Sequence, residues 1–209
     1  IQKCIPCLSM SNSTTEPMKH NNIPITKPWE KIHLDLCGPF PTGEYVIGMI
    51  DSCTRWPELS ITTSTTSATI IKHLLHSFST HGFPEVIVTD NAPNLVSVRI
   101  EEFCKKYAIR HQKATPYWPQ GNSEIERFYK TFAKFVKTTT SEGRSWKEEL
   151  YNFLLIYRNT PHCTTMVSPA KLLMNRALRD KIPSVNYKES ETMKEVREID
   201  EMNKKKSKV

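Results

Sequence analysis

The 209-residue chain is 38% hydrophobic and 24% charged, enough apolar material for one ordinary domain core plus extensions. No run approaches the ~18 uninterrupted apolar residues of a membrane span, so no membrane partner is expected. A formal charge of +7 and a pI near 9.1 favour a polyanionic partner, although part of the excess sits in the terminal Lys204-Lys205-Lys206-Ser207-Lys208.

The chain opens Ile1-Gln2-Lys3-Cys4, with neither an initiator Met nor an apolar leader core, and reads as a piece of a longer polypeptide. Cys4-Ile5-Pro6-Cys7 is half of a zinc-site pattern. His20 follows, but no second His at the right spacing completes it. Cys37, Cys53, Cys104 and Cys163 each sit singly in apolar or helical runs, as reduced core thiols do, which predicts a reducing compartment. Residues 10–28 are polar with several prolines, a linker by composition.

Strand signals follow over Trp29–Cys37, Glu44–Asp51 and Pro57–Thr62, the first two joined by the turn-rich Gly38-Pro39-Phe40-Pro41-Thr42-Gly43. A helix is predicted from Ser67 to His81, with Ile70, Ile71, Leu74, Leu75 and Phe78 on its apolar face and Gly82 as its stop. Glu85–Thr89 reads as a strand, Val96–Tyr107 as a helix and Ile109–Lys113 as a short strand. An amphipathic helix begins in Asn122-Ser123-Glu124-Ile125-Glu126 and runs to about Thr140. Trp146–Tyr157 is the next helix, with Leu150, Phe153, Leu154 and Tyr157 inward. Ser168-Pro169-Ala170 opens another, Ser168 as N-cap and Pro169 at the first helical position. Residues 188–209 are almost all charged and are expected to be an exposed helix or disordered.

Within this order three carboxylates stand out. Asp35 lies in the apolar Ile32-His33-Leu34-Asp35-Leu36-Cys37, Asp90 closes Val86-Ile87-Val88-Thr89-Asp90, and Glu126 lies on the helix 35 residues beyond Asp90. Two aspartates on strands and a helical glutamate can converge as oxygen ligands for two hard divalent ions. Such ions activate an oxygen nucleophile and stabilise an oxygen leaving group at phosphorus. On the Glu126 helix, Ile125, Phe128, Phe132, Phe135 and Val136 form one stripe, and Glu126, Lys130, Lys134 and Lys137 form another. Glu124 lies about 200° around the helix from Glu126 and belongs to a different surface. Asp51 ends a strand as Asp90 does; His33 and His111 border strands and read as structural.

Three antiparallel strands followed by alternating helices and short strands resemble an RNase H-like α/β fold, a mixed five-stranded sheet flanked by helices. The motifs resemble, in order, the integrase region of Ty3/Gypsy-type retrotransposon polyproteins, within the retroviral integrase superfamily. They are Trp29-Glu30-Lys31-Ile32-His33-Leu34-Asp35 with Gly38-Pro39, Ile50-Asp51-Ser52 with Arg55-Trp56-Pro57-Glu58, and Thr89-Asp90-Asn91-Ala92-Pro93. Thr115-Pro116-Tyr117-Trp118-Pro119-Gln120, Glu126-Arg127, Tyr157-Arg158-Asn159-Thr160-Pro161-His162 and Ser168-Pro169-Ala170 complete the set.

The resemblance implies a catalytic core over residues 29–183 with a helical extension, preceded by a remnant (1–9) of a zinc-binding HHCC module and a linker, and followed by a charged tail (184–209). It implies Asp35, Asp90 and Glu126 as ligands of two Mg²⁺ (or Mn²⁺) ions, a turn-shaping role without metal for Asp51, and Zn²⁺ only in the missing upstream module, of which Cys4 and Cys7 would be a half-site. It places Asn91, Tyr117, Gln120, Asn122, Lys130 and Lys134 at DNA contacts, with Tyr117 to Ser123 as a mobile loop. The implied activity is integration of element DNA into double-stranded target DNA by 3′-end processing and strand transfer. The implied setting is a nuclear homo-oligomer, at least a dimer, made in the cytoplasm as part of a polyprotein. Ala92 and Ser123 stand where the family usually has Gly, and a required φ > 0 at either would disturb Asp90 or the loop. The competing readings are a decayed or domesticated binding module and an RNase H-type nuclease.

Overall fold

The computed structural model describes residues 27–114 and 122–180. Five strands form one sheet in the order β3-β2-β1-β4-β5: β1 Lys31–Cys37, β2 Tyr45–Asp51, β3 Pro57–Thr62, β4 Val86–Thr89 and β5 Arg110–Lys113. β1 pairs antiparallel with β2, and β2 with β3, while β1–β4 and β4–β5 are parallel. Five helices accompany them: α1 Ser67–His81, α2 Val98–Lys106, α3 Ser123–Ser141, α4 Trp146–Asn159 and α5 Pro169–Met174.

Alternation along the strands builds a core on each face. Ile32 and Leu34 of β1 and Ile47 and Met49 of β2 meet Ile70, Leu74 and Phe78 of α1, Ile100 and Phe103 of α2, and Ala170 of α5. On the other face Val46 and Ile50 of β2 and Leu59 of β3 meet Ile125, Phe128 and Phe132 of α3 and Trp146, Leu150 and Leu154 of α4. The apolar stripe read on α3 therefore faces the sheet, with Phe135 and Val136 half-buried at its margin.

Helix punctuation follows the local chemistry. Thr66, Ser97 and Ser168 cap α1, α2 and α5, each side chain accepting a backbone N–H three residues on. The Ser97 cap sets the start of α2 at Val98, two residues later than the periodicity suggests. Gly82 ends α1 at φ 85°, a conformation that favours glycine. Three expectations shift. β1 begins at Lys31, because Trp29 takes φ 64° and donates its indole N–H to the Gly82 carbonyl at 3.0 Å. Leu75 lies at the edge of the α1 apolar face and is 38% exposed. The four described cysteines are free thiols, but only Cys104 is buried in the core, and Cys163 is exposed. No described helix is long and apolar enough to cross a membrane.

Candidate active site

Strand register brings the two aspartates together. The β1–β4 pairing matches Lys31 with Val86 and His33 with Val88; carried two residues further, it sets Asp35 beside Asp90. Period-2 alternation places both on the sheet face that α3 covers. α3 then delivers Glu126 from above, in its first turn with Glu124, where the helix dipole favours negative charge.

The electrostatics record this gathering. Burial pushes the Asp35 carboxyl up to about 6; the Leu36 N–H, at 2.7 Å from Oδ1, opposes the shift, and the charges of Asp90 and Glu126 add to it. One Asp90 oxygen accepts the Ala92 N–H at 3.0 Å. Tyr129, one turn beyond Glu126, donates its hydroxyl to the Asp35 carbonyl at 2.8 Å. Burial, then the Asp35 charge, holds the Tyr129 phenol well above its usual range, so it stays a donor. Glu126, Lys130 and Lys134 are all exposed on the stripe away from the core.

The neighbouring acids take other roles. Glu124 pairs with Arg55 at 3.0 Å and with Arg127 at 3.6 Å, on the α3 flank away from Glu126. A cavity of ≈ 290 Å³ on that flank is lined by Arg55, Glu124, Arg127 and His162 and includes none of the three gathered carboxylates. Asp51 is fully buried and accepts from Thr54 N at 3.0 Å, Thr54 Oγ1 at 2.6 Å and Cys53 N at 3.3 Å, shaping the β2–β3 turn. His33 and His111 make structural bonds, to Asn122 Oδ1 at 2.9 Å and to Thr89 Oγ1 at 2.8 Å.

A model of the integrase core domain matches residues 25–119. An uncharacterized protein of Caenorhabditis elegans is 35% identical over 153 residues, 73% of this chain and 12% of that protein. The Gag-Pro-Pol polyprotein of Simian retrovirus SRV-1 is 38% identical over 88 residues, 42% of this chain and 5% of the polyprotein. The chain thus spans a small fraction of these relatives. Among solved structures, the HTLV-2 integrase catalytic core domain in complex with magnesium superposes with a TM-score of 0.59 at 18% identity, over 70% of this chain and 97% of that one. A simian T-cell lymphotropic virus intasome chain gives 0.63 at 20% identity, over 78% and 61%.

The chain belongs to the integrase core family. Its sheet and flanking helices are the RNase H-like fold that the solved cores share. Within that family its two departures from glycine carry no backbone penalty, since neither Ala92 nor Ser123 is among the described residues with positive φ. Ala92 packs against the core and donates to Asp90, and Ser123 opens α3 in helical geometry.

Asp35 lies near enough to Asp90 and Glu126 for their charges to add to the rise that burial imposes on its carboxyl, and carboxylate oxygens suit hard divalent cations in donor type and charge. Among the described residues no three His, Cys, Asp or Glu side chains close into a ready-made metal cage. Two residues expected at DNA contacts are committed within the protein. Asn122 is 4% exposed and bonded to His33, so its amide is a tie between β1 and α3 rather than a surface group. Asn91 is exposed but donates to the Ala114 carbonyl at 2.7 Å, bracing the segment that leads into residue 115. Tyr117, Gln120, Cys4, Cys7 and the charged tail lie outside the described residues. Sequence reading missed the Tyr129–Asp35 and His33–Asn122 bonds. The sole signal for Tyr129 was its place one turn after Glu126.

Proposed function

We propose that this chain is the catalytic core of a Ty3/Gypsy-type retrotransposon integrase, which trims the 3′ ends of element DNA and joins them to target DNA. The observation that supports this reading is the β1–β4 register, which carried on sets Asp35 beside Asp90, together with an Asp35 carboxyl raised by burial and, less, by the charges of Asp90 and Glu126. Asp35, Asp90 and Glu126 would hold two Mg²⁺ or Mn²⁺ ions. When bound, these supply activation of the attacking oxygen and neutralisation of charge on the transferring phosphate.

The chain's own residues set the geometry. β1 and β4 fix the two aspartates at strand spacing, and α3 carries the glutamate to them. Lys130 and Lys134, one and two turns along the exposed stripe from Glu126, are placed for phosphate contacts with double-stranded DNA. Tyr117 and Gln120 fall in the segment between Asn91's brace and α3 and complete the proposed DNA-contacting set. The relatives support origin in a polyprotein, and the solved dimeric and trimeric cores and the intasome support a homo-oligomer acting on DNA; action in the nucleus is part of the same proposal.

Metal-dependent strand joining and its reversal on a branched DNA substrate test the reading. Wild-type protein and Glu124→Gln are expected to be active, and Glu126→Gln silent. Equal silence of folded wild-type and Glu126→Gln protein, with metal present, would leave a decayed or domesticated binding module. Cleavage of RNA in hybrids without strand joining would indicate an RNase H-type nuclease.

A further inference from the structure

We infer that Tyr129 is a positioning residue whose hydroxyl, seated over the bare Cα of Gly48, fixes α3 above β1 and so sets where Glu126 stands relative to Asp35. The inference rests on the functional reading above for its consequence, and on packing alone for its geometry.

Asp35 and Gly48 face each other in the β1–β2 register. Gly48 is buried in the interior of β2, where a glycine weakens a strand and leaves nothing to pack. Its backbone does not require glycine, because it is not among the positive-φ glycines of the chain. Space does. A Cβ at position 48 would collide with Tyr129 Oη and lie 2.9 Å from Cζ and 3.0 Å from Cε1. The Tyr129 ring thus occupies the volume that any other residue at 48 would fill, and from there its hydroxyl reaches the Asp35 carbonyl at 2.8 Å.

This contact is local to the site on both sides. The bonded carbonyl belongs to Asp35 itself, and Tyr129 follows Glu126 by three residues on one rigid helix. Phe128 and Phe132 pack α3 onto the sheet through non-directional apolar contact; the hydroxyl adds a directional bond at one height. A ligand set built from β1, β4 and α3 depends on that height, as metal sites depend on the groups that orient their ligands.

The test compares wild-type chain with Tyr129→Phe, which removes one oxygen, by Mn²⁺ binding in electron paramagnetic resonance and by amide hydrogen exchange. Mn²⁺ affinity is expected to fall about tenfold, with faster exchange over 126–130 and none of this change in α1. Unchanged exchange in α3 overturns the inference whatever the metal readout. Faster α3 exchange in a chain whose wild type binds no Mn²⁺ upholds the positioning and overturns the functional reading instead. Gly48→Ala gives the reverse approach: it is expected to loosen α3 alone, and to do so much less in a Tyr129→Leu background. An equal defect in both backgrounds overturns the inference, and if Gly48→Ala does not fold, Tyr129→Phe decides.

Discussion

His33 and Asn122 meet in one buried hydrogen bond, Nδ1 to Oδ1 at 2.9 Å, that fastens the start of α3 to the strand carrying Asp35. Asn122 is the N-cap residue of α3 yet makes no side-chain cap bond. Its oxygen is spent on the tertiary tie instead of on the helix. Burial holds the His33 imidazole down to about 4, so at neutral pH it is uncharged, and facing an oxygen acceptor it carries its proton on Nδ1. Asn122→Ala leaves that N–H buried without an acceptor and is expected to cost about 1–3 kcal/mol in urea unfolding. Amide exchange in the first turn of α3 should rise with it. An unchanged midpoint would show that the tie is dispensable.

Much of this architecture was legible because it is periodic or punctuated. The stripe Ile125, Phe128, Phe132 declares α3 and its inward face, and Ser168-Pro169 declares the start of α5. The resemblance implied a turn-shaping Asp51, and its three accepted bonds lie within its own turn. What could not be read are bonds between residues far apart in sequence. Nothing local marks His33 for Asn122, 89 residues away, or Tyr129 for Asp35, 94 residues away. The resemblance implied a DNA contact for Asn122, and nothing local in the sequence marks the His33 that is folded beneath it. Gly48 carries no local sign of its role, because the tyrosine that needs its space lies on another element.

If the proposed ligand set is right, its carboxylates trade stability for metal affinity. Asp35 is disfavoured as a charge by burial and by Asp90 and Glu126, so in metal-free protein Asp35→Asn removes repulsion and is expected to raise the melting temperature. Wild-type protein should gain about 2.7 kcal/mol when free Mg²⁺ or Mn²⁺ stands a hundredfold above its Kd, and Asp35→Asn should gain almost none. Thermal unfolding of both proteins, with EDTA and across a metal series, reads the crossing. A metal-induced gain equal in both would remove Asp35 from the ligand set.

Acid should unfold the protein partly through Glu58. Burial alone would raise this carboxyl, but His81 at 2.8 Å, the Arg158 charge at 2.9 Å and the Trp56 indole N–H at 2.8 Å hold it below the usual range. Arg158 also lies over the Trp56 ring, 4.3 Å from its centroid, and donates to the Pro57 carbonyl, so the cluster joins α1 and α4 to the start of β3. A carboxyl depressed in the folded state stabilises fully above its ordinary value of about 4.5 and loses that contribution as the pH falls through the lower folded value. Glu58→Gln strands Arg158 and is expected to cost about 3 kcal/mol at pH 7. The difference from wild type should shrink steadily below about pH 4.5. Denaturant midpoints across pH 3–7 measure it, and a pH-independent difference would mean that Glu58 acts through packing alone.

The lysine stripe makes a prediction about salt rather than chemistry. Lys130 and Lys134 stand exposed one and two turns beyond Glu126 on α3, and α3 is fixed to the sheet by Ile125, Phe128 and Phe132 on its other side. Their ammonium groups therefore project from a rigid support on the same helix as Glu126, where the proposed function would route a DNA backbone. Each such phosphate contact releases condensed counterions, so Lys134→Ala should lower the slope of log K against log salt by about 0.9 for duplex DNA, and Lys130→Ala likewise. The loss should be similar for unrelated duplex sequences, because phosphate contacts carry no base information. Lys171, exposed on α5, serves as the comparison: its replacement by Ala should leave the slope where it was. Equal slopes for all three variants would move the DNA path off α3.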